Sequence, residues 1–274
     1  MRLLDGSELS GYIKERQAKQ VRALRQSWRV IPKLAIIRTG ENSVIDTYMR
    51  LKTVYGEDIL ISVDVYAPND AELLDVIDKL NHDKSVHGII IQLPLADVSQ
   101  TDAAVNAVAP EKDVDGLGNG NVFIPATAMA INWLLVGYNV ELADKKIAIV
   151  GNGRLVGAPL AQLWRDSGYD VSVYGRDADL NSVLPVADVI VTAAGVPGLI
   201  QSNMVRTGAV VVDAGTASED GKIVGDVAAS VRDRQDLTIT PTRGGVGPLT
   251  IAALFDNVIT AARKIADARG QQDN

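Results

Sequence analysis

Short apolar runs alternate with helix-period segments twice along this chain, and a loop dense in Gly, Asp and Asn, APEKDVDGLGNGN (109–121), separates the two series. That alternation restrains the fold more than any other feature. A strand that is apolar throughout must be covered on both faces. Strand–helix–strand repeats lay parallel strands side by side with helices over them. In the first series helical SELSGYIKERQAKQVRALRQSW precedes the strand KLAIIR (33–38), a helix over 43–56, a strand within DILISVDVYAP (58–68) and the strand HGIIIQLPL (87–95). Asn69 and Glu72 have the spacing of a capping box and open a helix that runs to about Asn81. In the second series a helix near 126–137 leads to the strands IAIV (147–150), DVSVY (170–174), ADVIVTA (187–193), GAVVVDAG (208–215) and TITP (238–241). A helix from about Pro248 to Ala268 closes it. The reading is two α/β domains with a cleft between them. One spans 1–124 and is joined by the closing helix, 252–274; the other, 125–251, is of the Rossmann dinucleotide-binding type.

Composition narrows the function. Aromatic residues are 4% of the chain, so Ala, Val, Ile and Leu must fill the cores. The net charge is −7 and no run of Lys or Arg offers a phosphate-backbone footprint, which argues against nucleic acid as a partner. There is no cysteine, which excludes disulfides, thiol catalysis and thiolate metal sites. No apolar stretch is long enough to span a bilayer, and the segment MRLLDGSELSGYIKERQ has no secretory apolar region; the expectation is a cytoplasmic protein without a membrane partner.

The stretch IAIVGNGRLVGAP (147–159) carries the clearest chemical signal. Its glycines fall at 151, 153 and 157, one residue longer than G-x-G-x-x-G. Gly151 follows the strand where a tight turn needs freedom in φ, and Gly157 lies in the first helical turn, where a missing side chain permits close packing. Free amides at that helix start suit a phosphate. The plainer reading is a turn that only packs helix on strand; the strand before, the helix after and a second strand ending about 20 residues on favour a dinucleotide. That second strand ends in Tyr174-Gly175-Arg176-Asp177. An arginine there suits NADP and an acidic residue suits NAD, and the neighbours Arg176 and Asp177 leave the choice open.

In the first half, Tyr48 and Lys52 share a helix face, Gln92 ends an apolar strand, and Asp113 and Asp115 lie in the KDVDG loop. A lysine lining a cleft beside a tyrosine would have a lowered pKa and move protons near neutrality. Taken singly, each has a plainer reading: a helix face in water, and turn chemistry for the aspartates. His82 and His87 are the only histidines; no carboxylate partner is placed near either, and both read as surface residues. No metal site is suggested.

Together these motifs resemble the bifunctional methylenetetrahydrofolate dehydrogenase/methenyltetrahydrofolate cyclohydrolase family over nearly the whole chain. The resemblance rests on Y-x-x-x-K (48–52), G-x-x-x-Q-L-P-L (88–95), P-E-K-D-V-D-G (110–116), V-G-x-P (156–159), G-D-V (225–227) and G-G-V-G-P-L-T (244–250), in that order. It implies that Lys52 transfers the cyclohydrolase proton, Tyr48 flanks the folate ring, Gln92 holds Lys52 and favours its neutral form, and Asp115 accepts hydrogen bonds from the pterin. It implies that Gly244, Gly245 and Pro248 border the folate, and that Gly151, Asn152, Gly153, Arg154, Val156, Arg176, Ala194 and Gly195 border NADP, with NAD as the alternative. It further implies a folate substrate and a homodimer. The sequence departs from the family's usual G-R-S, which is Gly151-Asn152-Gly153 here, and Arg154 and Arg176 are the candidate substitutes for the missing arginine. Two other readings are an NAD-dependent dehydrogenase with little cyclohydrolase activity and a non-catalytic folate- or nucleotide-binding protein.

Overall fold

The apolar runs expected as strands become strands, and helices make the crossovers between them. The computed structural model describes residues 1–40, 43–219 and 222–272. In chain order the elements are β1 (Arg2–Leu3), α1 (Gly6–Ser27), β2 (Lys33–Ile37), α2 (Ser43–Asp58), β3 (Ser62–Tyr66), α3 (Leu73–His82), β4 (Gly88–Ile91) and α4 (Thr101–Ala107). They continue with α5 (Ala126–Gly137), β5 (Ile147–Val150), α6 (Gly157–Asp166), β6 (Val171–Tyr174), α7 (Leu180–Val183), β7 (Val189–Thr192) and β8 (Val210–Asp213). Last come the strand pair β9 (Ala217–Glu219) and β10 (Lys222–Val224), then α8 (Ala229–Arg232), β11 (Thr238–Ile239) and α9 (Val246–Gln272). The end of the expected closing helix, Asp273 and Asn274, lies outside the described residues.

The chain divides into two compact units. The first comprises Tyr12–Ala126 and Ile251–Asn274 and holds a parallel sheet in the order β3-β2-β4. All four residues of β4 are buried, as a strand covered on both faces requires. Leu73, Ile77 and Leu80 of α3 give the i, i+4, i+7 stripe that packs on β2 and β4 through Ile37, Ile89 and Ile91. The capping box forms: Asn69 Oδ1 accepts the amides of Ala71 and Glu72, each at 3.1 Å, and Glu72 Oε2 accepts the amide of Asn69 at 3.4 Å.

The second unit comprises Met1–Gly11 and Thr127–Thr250. Its sheet runs β1-β11-β8-β7-β5-β6, every pairing parallel, with β9 and β10 forming a separate antiparallel pair. The sequence reading assigned residues 1–11 to the other domain. They fall in this unit because β1 is an edge strand of its sheet, Arg2 opposite Thr238 and Leu3 opposite Ile239. A two-residue strand carries no periodicity, so the sequence could not announce it.

One histidine differs from expectation. His82 is exposed, whereas His87 is buried, 4% accessible. Its amide donates to the Lys33 carbonyl at 3.0 Å, which starts the β2–β4 pairing one residue before the strand, and its Nδ1 accepts the Lys33 amide at 3.3 Å. The ring is drawn inside by the sheet it begins.

Candidate functional site

Within the first unit, α2 brings Lys52 to the carboxyl end of β4. Lys52 Nζ donates to Gln92 Oε1 at 2.8 Å. Gln92 directly follows β4, and its backbone amide still donates to the Ile37 carbonyl of β2 at 2.8 Å, so its Cα is held in sheet register. Its side-chain Nε2 donates to the Leu93 carbonyl at 3.1 Å, leaving Oε1 for the lysine. The Leu93–Pro94 bond that follows is cis.

Burial pushes the Lys52 amine below the ordinary lysine value, and Asp115 pulls it partly back. Burial likewise raises the Asp115 carboxyl, with Lys52 opposing the rise and Asp113 adding to it. Tyr48, one turn before Lys52 on α2, has its phenol raised by burial and stays protonated over the neutral range. The structure therefore joins Lys52, Gln92 and Asp115 into one interacting set, with Tyr48 on the adjoining helical turn.

The two loop aspartates part company. Asp113 serves the loop itself: its Oδ1 accepts the Gly116 amide at 3.0 Å and its Oδ2 the Gly118 amide at 2.7 Å. Two further residues fix that loop, and neither was anticipated. Lys112 is buried, and its ammonium donates to the carbonyls of Leu80 at 2.9 Å and Asp83 at 2.7 Å, at the carboxyl end of α3. Asn257, buried on α9, donates to the carbonyls of Val114 at 2.9 Å and Ile124 at 3.0 Å. Their sequence signal is faint: a lysine in a turn motif and an amide in an apolar helix stripe.

In the second unit the glycine loop leaves β5 and enters α6. Gly151 has φ +102°, a conformation closed to most side chains. Gly157 opens α6 so close to the turn that a Cβ on it would lie 1.8 Å from the Gly151 carbonyl oxygen. Gly153 has no such constraint, since a Cβ there would meet nothing within 4 Å. Asn152, Gly153 and Arg154 are exposed, Val156 is half-buried, and Arg176 is exposed just beyond β6. Ala194 and Gly195 follow β7, and their turn abuts the loop: a Cβ on Gly151 would lie 2.5 Å from the Ala193 oxygen.

The strand order locates this loop. β5 pairs with β6 on one side and β7 on the other, so the crossover from β5 to β6 and the next, from β6 to β7, run in opposite directions across the sheet. In open parallel sheets that reversal, at the carboxyl ends of the strands, is where nucleotides bind. The amides at the start of α6 are less free than expected, because that of Ala158 donates to the Gly153 carbonyl at 3.1 Å and Pro159 has none; the side-chain-free bend and the adjoining backbone turn are what fit a pyrophosphate and its sugars.

Gly244, Gly245 and Pro248 also belong to the second unit. The Gly244 carbonyl accepts the Ser7 amide at 3.0 Å, and the Pro248 carbonyl accepts Ser10 Oγ at 3.2 Å. Asp5 Oδ1 caps α1 through the amides of Ser7 at 2.8 Å and Glu8 at 3.2 Å. Pro248 sits in the first turn of α9, where an amide has no helical partner to lose. A further group not anticipated beyond its G-D-V motif is buried Asp226 with Asp213 and Arg232. Among the described residues no cluster of three or more His, Asp or Glu is arranged to hold a metal, and no helix is long and apolar enough to cross a membrane.

Known proteins resemble the whole chain. The family model described as tetrahydrofolate dehydrogenase/cyclohydrolase, catalytic domain, matches residues 4–115, and that described as its NAD(P)-binding domain matches 125–266. The Bifunctional protein FolD of Campylobacter jejuni subsp. jejuni serotype O:23/36 (strain 81-176) is 39% identical, the alignment covering 96% of this chain and 99% of the relative. The crystal structure of the bifunctional methylenetetrahydrofolate dehydrogenase/cyclohydrolase from Campylobacter jejuni superposes with a TM-score of 0.91 at 39% identity, over 96% of this chain and 99% of the other. The Trypanosoma brucei dehydrogenase-cyclohydrolase, complexed with NADP cofactor and inhibitor, gives 0.89 at 28% identity, over 96% and 97% of the two chains.

Proposed function

This chain belongs to the tetrahydrofolate dehydrogenase/cyclohydrolase family, and from that premise we propose that it oxidises methylenetetrahydrofolate to methenyltetrahydrofolate with NADP and hydrolyses the product to 10-formyltetrahydrofolate. The observation that carries the reading is the Lys52–Gln92–Asp115 set, because a binding protein has no need of a half-buried amine with a depressed pKa held by a glutamine.

NADP, when bound, accepts the hydride released by the one-carbon bridge. The residues that hold it are those of the glycine loop, Gly151, Asn152, Gly153, Arg154 and Val156, with Ala194 and Gly195 beside them and Arg176 or Arg154 on its extra phosphate. The folate's own nitrogens stabilise the cation left behind, so the oxidation asks for no strong protein base. Hydration of that cation does. Water adds to the one-carbon centre and gives one proton to the neutral amine of Lys52; the carbinol oxygen then loses its second proton to form the formyl carbonyl as the bond from carbon to one folate nitrogen breaks, and that nitrogen takes up a proton, so that one proton is released overall. Gln92 accepts from the lysine and fixes where its lone pair points. Asp115 accepts N–H groups of the pterin, Tyr48 flanks the ring, and the backbone at Gly244, Gly245 and Pro248 approaches the substrate.

The decisive assay mixes the protein with methylenetetrahydrofolate and either NADP or NAD, following reduced cofactor and methenyl absorbance together. Reduction with NADP and a transient methenyl signal are expected; no signal with either cofactor overturns the reading. Equal rates with NAD would remove Arg154 and Arg176 from recognition of the phosphate.

The protein forms a homodimer through its second unit. Support comes from β6, an open edge of the six-stranded sheet, and from Val186 nearby, 56% exposed. Sedimentation equilibrium should return twice the chain mass, and a monomer at micromolar concentration would dismiss the dimer.

A further inference from the structure

Asp226 is completely buried and takes no part in the chemistry above. Its two oxygens accept three donors. Oδ2 takes the Thr192 hydroxyl at 2.6 Å and the Ala194 amide at 2.7 Å, and Oδ1 takes the Val196 amide at 2.8 Å. Thr192 ends β7, and Ala194 and Val196 belong to the turn that abuts the glycine loop at the sheet's reversal point. One carboxylate therefore fixes both ends of that turn, with Gly195 between them at φ +67°.

A second carboxylate seats the first. Asp213 Oδ1 accepts the amides of Gly215 at 3.1 Å and Asp226 at 3.0 Å, and its Oδ2 accepts the Val227 amide at 3.2 Å and an N–H of Arg232 at 2.5 Å. Arg232 also donates to the Thr240 carbonyl at 3.0 Å, and the Asp213 amide donates to Thr240 Oγ1 at 2.9 Å. The backbone has no room to spare around either acid. A Cβ on Gly225 would lie 2.1 Å from Asp213 Oδ2, and one on Gly215 would lie 2.2 Å from Asp226 Oδ1. Buried acceptors this fully used hold their donors in one arrangement, because any departure leaves an unpaired amide in a dry site.

We propose that Asp226, seated by Asp213 and Arg232, is a positioning residue for the dinucleotide: it presets the 194–196 turn in the shape the bound cofactor needs. This rests on the reading that Ala194 and Gly195 border NADP. Neither acid touches the ligand; their effect passes through backbone amides.

The test is Asp226→Asn in the full-length enzyme, which turns one acceptor into a donor facing a backbone N–H or a hydroxyl. Calorimetric titration with NADP should give a Kd at least about tenfold weaker than wild type. Hydrolysis of methenyltetrahydrofolate supplied directly, which consumes no dinucleotide, should stay unchanged. An unaltered Kd overturns the proposal, and so does a proportional loss of NADP binding and cyclohydrolase activity, which would mark a general structural defect. If the variant does not fold, amide hydrogen exchange of the wild type without NADP decides: slow exchange at Ala194 and Val196 supports a preset turn, and fast exchange overturns it. A wild-type enzyme that binds no NADP would instead sink the reading of the site, a result separable from an unaltered Kd in the variant.

Discussion

Replacing Lys52 with Met lowers the rate of methenyltetrahydrofolate hydrolysis by about 10²- to 10⁴-fold, the usual worth of a positioned proton acceptor. Met keeps an unbranched apolar chain as far as Cε and removes the amine. The substitution should cost little stability, since the amine's depressed pKa shows that its charged form is disfavoured where it sits. The thermal midpoint should therefore hold while the activity falls. Steady-state hydrolysis of the methenyl substrate is the measurement, and a rate within about threefold of wild type would strip Lys52 of its role. The pH profile adds an independent check. The working form is the neutral amine, whose fraction grows as pH climbs through its pKa. Burial lowers that pKa, so wild-type activity should rise at a pH below the ordinary lysine value of about 10.4. The Met variant should lack that rise.

Gly157→Ala is expected to weaken NADP binding by about 100-fold, as a misplacement near 1 Å in a binding loop does. The added methyl would fall 1.8 Å from the Gly151 oxygen, and both atoms belong to backbone that the sheet and helix hold. Either the turn or the start of α6 must move by more than an ångström. Overpacking of this kind costs about 1–3 kcal/mol of stability, so a lowered thermal midpoint should accompany the loss. Lys52, Gln92 and Asp115 lie in the other compact unit. Hydrolysis of the methenyl substrate should therefore survive. A normal NADP Kd in this variant would show that the loop does not carry the dinucleotide.

How much of this was readable in advance depended on the distance over which each signal acts. Every strand of the two parallel sheets except the two-residue β1 was visible, most of them because a buried parallel strand is apolar on both faces, and four buried residues such as 147–150 suffice to show it. Lys52 and Tyr48 were visible because one helical turn separates them, and the partnership with Gln92 came from the family resemblance. Asp113 and Asp115 could not be told apart by spacing; only the folded loop shows that one acid caps amides while the other interacts electrostatically with Lys52. The Asp226 hub was out of reach for a related reason. Its members at 192, 213 and 226 sit on separate strands and a loop, and parallel crossovers alone bring them together. His87 was misplaced because a polar residue at the start of an apolar run resembles a turn residue, although the pairing of β4 with β2 begins there.

The pairing of β1 with β11 joins residues made far apart in time. Arg2 and Leu3 leave the ribosome long before their partners, Thr238 and Ile239. At ordinary elongation rates the edge of that sheet waits roughly 10 to 50 seconds for its neighbour. The first unit waits as well. Its three strands are complete at Ile91, but Tyr55 stacks on Phe255 with ring centroids 5.2 Å apart, and the loop bearing Asp115 is tied by Asn257. The first unit therefore closes its core only once α9 has been translated, and the second completes its sheet only at β11, so the nascent chain carries both sets of apolar strands unfinished for most of the time these residues are being made.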